Sequence, residues 1–151
     1  MLTWCTNKNV GVFFNEIPSV GVRYSLPSMS KEERRAVEKF PFMCKKELKV
    51  LLTDYKKNKE YNFVIPKGYC YDGASIPRFF WRLIGPNTDN RFLIPALIHD
   101  VLCENHNYVD NDRAFSTEVF NCLLEASGIG FFKRFWMKNS VCIFQTIFCD
   151  W

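Results

Sequence analysis

Three short stretches hold the residues whose types could do chemistry. "YDGASIPRFFW" (71–81) carries Asp72, Gly73, Ser75 and Arg78. "LIHD" (97–100) carries His99 and Asp100, and "DNDRAF" (110–115) carries Asp112. An imidazole whose tautomer is fixed by one carboxylate can take a proton from water with its other nitrogen. Carboxylates and loop carbonyls are the oxygen ligands of a hard cation such as calcium. The same residues can instead make a polar knot. Asp72 then braces its own turn, Gly73 supplies an unusual backbone angle, and Arg78 offers its fork to Asp72, to Asp100 or to a phosphate. Ser75 lacks the glycine-flanked elbow of a serine nucleophile.

The elements that must position these groups can be read from periodicity. Phe92, Ala96, His99 and Cys103 recur at helical spacing, so His99 belongs to an apolar stripe. Asp100 is rotated about 100° around the same axis, so the two side chains can flank a cleft but not meet at one atom. Asp112, Phe115, Val119 and Ala126 repeat at i, i+3, i+7 and i+14 on a following helix. Asp112 is therefore either a core-side partner of His99 or an exposed first-turn residue favoured by the helix dipole. His106, in a polar loop, reads as solvated.

Residues 10–26 read as two short strands. Ser30 caps a helix, with Glu33 as its capping-box partner, and that helix ends before Pro41. "ELKVLLTDY" and "EYNFVIPKGYCY" pair around the polar turn "KKNK". Three helices follow: "DNRFLIPALIHDVLCEN" capped by Asp89 or Asn90, "DRAFSTEVFNCLLEAS" capped by Asp110 or Asn111 and stopped at Gly128 or Gly130, and "FFKRFWMKNSVCIFQTIF". Strands first and helices after predict an α+β fold, with N-terminal antiparallel strands and a C-terminal bundle of about three helices. The last helix mixes Phe131, Phe132, Phe135 and Trp136 with Lys133, Arg134 and Lys138, a composition suited to peripheral lipid contact. Packing against the core, with basic side chains at the rim, is the preferred expectation.

Composition narrows the classes. The 151 residues suit a single domain, 1–151, and 17% of them are aromatic. A net charge of +4, with no long basic block, argues against a nucleic-acid partner. No run of 18 apolar residues predicts a membrane span. Seven cysteines, without a CxxC pair or a signal-peptide pattern, read as reduced small hydrophobes in a cytosolic chain.

"VIPKGYCYDGASIPRFFW", "LIPALIHDVLCEN" and "DNDRAF", in that order and spacing over about residues 48–126, resemble a family of phage and prophage proteins known as domain of unknown function 1353. The resemblance implies a viral origin and the cytoplasm of a bacterial host. The order loop, His-Asp, loop, Asp-x-x-Phe is also similar to phospholipases A2. That similarity implies His99 as general base, Asp112 as its orienter, and Asp100 with the turn from Asp72 to Ser75 as calcium ligands. Two functions follow: a small accessory protein that binds a host or virion protein, with the polar residues as a knot, or a calcium-assisted ester or phospholipid hydrolase. The binding protein is the favoured reading.

Overall fold

The computed structural model describes residues 1–73 and 90–148. Among them, strands β1 (Leu2–Thr6), β2 (Val10–Phe14), β5 (Leu48–Asp54) and β6 (Lys59–Ile65) form one antiparallel sheet in the order β1-β2-β5-β6. Strands β3 (Val20–Val22), β4 (Phe42–Cys44) and β7 (Cys70–Tyr71) form a second, in the order β3-β4-β7. Helix α1 (Lys31–Lys39) lies between β3 and β4 in sequence. Helices α2 (Leu93–Glu104), α3 (Arg113–Ala126) and α4 (Phe131–Phe148) complete the chain. The α+β expectation is met.

Alternation explains the main sheet. In β5, Leu48, Val50 and Leu52 are buried, and in β6 Tyr61, Phe63 and Ile65 are buried, while Lys49, Asn62 and Val64 point outward. The buried face meets Phe92, Leu97, Ile98 and Leu102 from the start and middle of α2, and Val119, Phe120 and Leu123 from α3, in one continuous core. The β5–β6 turn is braced by Asp54, whose Oδ1 accepts from the N–H groups of Lys56 (2.9 Å) and Lys57 (3.2 Å). Asn58 closes the turn at φ 51°, a conformation Asn tolerates.

Helix starts divide expectation from outcome. Ser30 and Glu33 form the capping box as predicted: Ser30 N–H donates to Glu33 Oε2 (2.6 Å) and Glu33 N–H to Ser30 Oγ (3.2 Å). Asn90 does not cap α2, and Asp89 lies outside the described residues. A 3-10 turn at Asn90–Phe92 leads into that helix, and its N-cap, Phe92, makes no side-chain cap bond. The cap of α3 is Asp112, two residues after Asp110. Asp110 and Asn111 take left-handed backbone (φ 58° and 55°), which ends the loop rather than starting the helix. Gly128, at φ 78°, follows the C-cap Ser127 and stops α3 as expected.

Strands β1 and β4 were not anticipated. β1 is short, and a register shift between Thr3 and Cys5 spoils its alternation. β4 is three residues trapped between a helix end and a loop. α4 packs on the core as expected through Met137 and Val141, with Arg134 and Lys138 at the rim, but its Phe131, Phe132, Phe135 and Ile143 are exposed. Cys5, Cys44, Cys70, Cys103, Cys122 and Cys142 are not joined in disulfides.

Candidate functional site

The bend after β7 is set by β4. Phe42 pairs with Tyr71 across the small sheet, and their rings sit 5.6 Å apart. Gly73 follows at φ +85°, and a Cβ there would lie 2.7 Å from Cε2 of Phe42. Two independent reasons therefore require glycine: the backbone angle and the ring beneath it. The Tyr71 hydroxyl donates to the Leu93 carbonyl (3.0 Å), tying the bend to the first turn of α2. The bend thus delivers Asp72 to the flank of that helix.

There Asp72 meets Asp100. The Asp100 carboxyl accepts from the Asp72 backbone N–H and is hydrogen-bonded to the Asp72 side chain. Burial first, then that bond and the charges of Asp72 and Glu104, push Asp100 up to about 9. At neutral pH Asp100 keeps its proton and is hydrogen-bonded to the Asp72 side chain. Glu104, one turn further along α2, faces the half-buried Tyr69 hydroxyl. Burial, reinforced by that carboxylate, holds the phenol well above its ordinary range. A shallow cleft of about 200 Å³ opens between Phe40, Tyr71, Asp72, Asp100, Cys103 and Glu104.

His99 points elsewhere, as its one-residue rotation requires. Its ring packs on Phe120 (centroids 5.1 Å apart), and Nε2 lies 3.5 Å from Cys103 Sγ. Nδ1 is shut off from solvent. Burial lowers the imidazole to about 4 against the opposing charge of Asp72, so it is neutral over the ordinary pH range. The carboxylate that acts on His99 is Asp72.

Asp112 is engaged in other bonds. Its Oδ1 accepts from the Phe115 N–H (2.9 Å), and Oδ2 lies 2.5 Å from Lys57 Nζ. Burial would raise this acid, but Lys57 and the N–H groups of Phe115 and Ala114 outweigh it and hold it below the ordinary carboxylate range. Asp112 therefore caps α3 and docks the β5–β6 turn, a role that corrects its reading as orienter of His99. Asp110 repeats the docking through Lys59 (2.6 Å) and the Tyr61 hydroxyl (3.2 Å). His106, expected to be solvated, is half-buried, with Nδ1 2.5 Å from Asn111 Oδ1. Ser75 and Arg78 lie outside the described residues. Among the described residues no group of three or more His, Cys, Asp or Glu is arranged to hold a metal ion.

A second concavity escaped the sequence reading. β6 is an edge strand, and beside it runs a groove of about 370 Å³ between Asn62–Pro66, Tyr69, Val101 and Tyr108. Lys49 exchanges backbone and side-chain bonds with Asn15 on the β2 side, so its partner Val64 turns its peptide groups away from β5. The Asn62 N–H likewise turns outward, to the Tyr108 hydroxyl (3.3 Å). The signal lay in "YNFVIP", where outward Asn62 and Val64 end at a proline that stops pairing.

Comparison with known proteins adds family membership without an activity. A 48-residue stretch is 40% identical to the uncharacterized protein y4jT of Sinorhizobium fredii (strain NBRC 101917 / NGR234). It covers 32% of this chain and 14% of that protein. No solved structure matches, and the similarity to phospholipases A2 is not supported. Residues 50–141 match the model of the family described as "Protein of unknown function (DUF1353)", a span that runs from β5 into α4. The chain belongs to that family.

Proposed function

We propose that the chain is a binding protein that takes an extended segment of a host or virion protein along the open edge of β6. The observation that carries this reading is the groove itself. It offers outward peptide groups at Val64 for strand addition and an apolar wall from Tyr69, Val101 and Tyr108 for alternate side chains. The hydrogen bond between Asp72 and Asp100 fixes the bend on one side of α2, while the groove lies on the other, with Tyr69 between them. Gly73 then serves that bend, and a phage or prophage origin and action in the host cytoplasm accompany the reading. A hydrolase finds less support. His99 is a weak base at about 4, its Nδ1 faces the interior, and Asp112 is held by Lys57.

Val64→Pro tests the proposal. Val64 is 62% exposed and its N–H faces away from β5, so proline removes an edge donor without removing a sheet bond. The immobilised chain is expected to retain a discrete protein from infected-host lysate, and Val64→Pro, with unchanged circular dichroism and melting, to lose it. A partner retained equally by both chains, or no partner at all, overturns the proposal. Calorimetric titration with calcium, zinc and manganese covers the alternative. Heat of binding that Asp100→Ala abolishes would return the carboxyl pair to metal chemistry.

A further inference from the structure

An extra residue in β1 redirects its side chains. Thr3 stands opposite Phe13 of β2, whereas Cys5, two residues on, stands opposite Val12. Phe13 and Val12 point to opposite faces of β2, so the bulge at Trp4 turns Cys5 to the face of the fully buried Val12. The Trp4 ring, 5.4 Å from that of Phe14, anchors the bulge. α3 covers this face and packs on both β1 and β2. Cys122, in the C-terminal half of α3, is buried there, and its thiol is hydrogen-bonded to that of Cys5. Other described cysteines are engaged differently. The Cys44 and Cys70 thiols donate to the carbonyls of Lys46 (3.0 Å) and Gly68 (3.2 Å), and Cys103 lies against His99.

Two thiols in contact, brought together from distant parts of the chain, are the starting geometry of a disulfide. Cys5 is half-buried at the sheet edge, where a small oxidant can reach it, and Cys122 lies behind it. The Cys5 S–H donates to Cys122 Sγ. That bond holds the Cys122 thiol below its ordinary range, against burial and against Glu125 and Glu118, and it holds the Cys5 thiol up. Cys122 is therefore the first of the two to lose its proton, and a thiolate is the nucleophile in sulfur oxidation. β1 pairs with β2 alone, so this edge strand can shift enough to bring the sulfurs to the bonding distance of about 2 Å.

We infer that Cys5 and Cys122 are a redox-active pair that hydrogen peroxide converts to a disulfide, locking β1 onto α3. The Cys122 thiolate attacks one peroxide oxygen and the O–O bond breaks. The sulfur becomes a sulfenic acid, and the other oxygen takes up the proton Cys122 lost and leaves as water. The Cys5 sulfur then attacks the Cys122 sulfur, the S–O bond breaks, and the hydroxyl leaves with the Cys5 proton as a second water. Two thiols are oxidised and one peroxide is reduced. The inference does not rest on the β6 groove. The bridge closes a loop of more than a hundred residues, so it should raise the melting temperature by about 10 °C. The test treats the full reduced chain, freed of reductant, with hydrogen peroxide, then alkylates the remaining thiols and maps them by mass spectrometry. The expected result is two fewer alkylated thiols, a peptide pair joined at Cys5 and Cys122, and a rise in melting temperature that dithiothreitol reverses. Cys5→Ser should lose all three. So should Cys122→Ala, which keeps the buried position apolar. Cys103→Ser and Val64→Pro should keep them, which separates this pair from the cleft and from the groove. Sulfinic or sulfonic acid at Cys5 or Cys122 without a bridge overturns the inference. So does a bridge between two chains, or a melting rise that persists in Cys5→Ser.

Discussion

Two aspartates on either side of the loop that joins α2 to α3 behave in opposite ways. Asp100 is packed beside Asp72 and within reach of Glu104, and it holds its proton up to about pH 9. Asp112 sits at a helix start with Lys57 against it, and it loses its proton more readily than a free aspartate. Both are partly buried, so burial alone does not decide the charge. The sign of the neighbours does, helped by whether backbone N–H groups converge on the oxygens. At the Asp100 corner the chain crowds acids and lets a proton hold them together. At the Asp112 corner it joins opposite charges across two elements, as Asp110 and Lys59 do nearby. The first arrangement is sensitive to alkali and the second to acid.

The largest effect should come from removing the support of the first corner. Gly73→Ala forces a side chain onto a backbone at φ +85° and onto the Phe42 ring. We expect a loss of about 2–4 kcal/mol of unfolding free energy, from backbone strain plus displacement of a packed aromatic. Gly128→Ala is the control. Its φ is +78°, but the space beyond is open, so about 1 kcal/mol should be lost. Urea midpoints at constant slope measure both. Equal losses would mean that the Phe42 contact does not constrain the bend.

The pH profile comes next. Asp100 rises from about 4 unfolded to about 9 folded, so between those values the folded chain holds the extra proton and stability falls as pH rises. His99 falls from 6.5 unfolded to about 4 folded, so over that interval the unfolded chain holds the extra proton and stability rises with pH. The two trends oppose each other up to about pH 6.5. Above it only the Asp100 trend remains. We expect a stability plateau between about pH 4.5 and 6.5, then a decline on the order of 1–3 kcal/mol toward pH 9. Thermal melts across that range check it, and a rising limb above pH 6.5 would contradict the proton kept on Asp100.

Much of this was legible in the residues, and the failures share a cause. The β5–β6 hairpin, the Ser30 cap and the His99 stripe follow from short-range periodicity, and local rules suffice for them. The i, i+4 relation of His99 and Cys103 became a 3.5 Å contact. Asp72 beside Asp100 could be suspected only as two polar groups near one bend. Their hydrogen bond depends on β4, a three-residue strand without a pattern of its own. Asp112 stayed open between partner of His99 and first-turn residue because a carboxylate in line with an apolar stripe looks buried, whereas as an N-cap it belongs to the helix end. Lys57, its partner, is 55 positions away in sequence, beyond any local signal. Aromatic residues on α4 suggested core packing, since composition does not say which side of a helix finds a neighbour.

The smallest effects sharpen the comparison most, because the same substitution should act oppositely at the two corners. Asparagine keeps the shape of a protonated aspartate and can donate to a carboxylate. Asp100→Asn should therefore be nearly neutral at pH 6, within about 0.5 kcal/mol, and should abolish the alkaline decline, so that it is the more stable chain at pH 9. Asparagine is also a good N-cap, so Asp112→Asn keeps the bond from the Phe115 N–H and loses only the charge facing Lys57. We expect it to cost a few tenths of a kcal/mol at pH 7, with the difference vanishing as pH falls through the depressed range of the native acid. Urea titrations of both variants at pH 3, 6 and 9 give the test. If Asp100→Asn were still destabilising at pH 9, the native chain would show no alkaline loss and Asp100 would be ionised well below that pH. The contrast between an acid corner held by a proton and one held by a cation would then be lost.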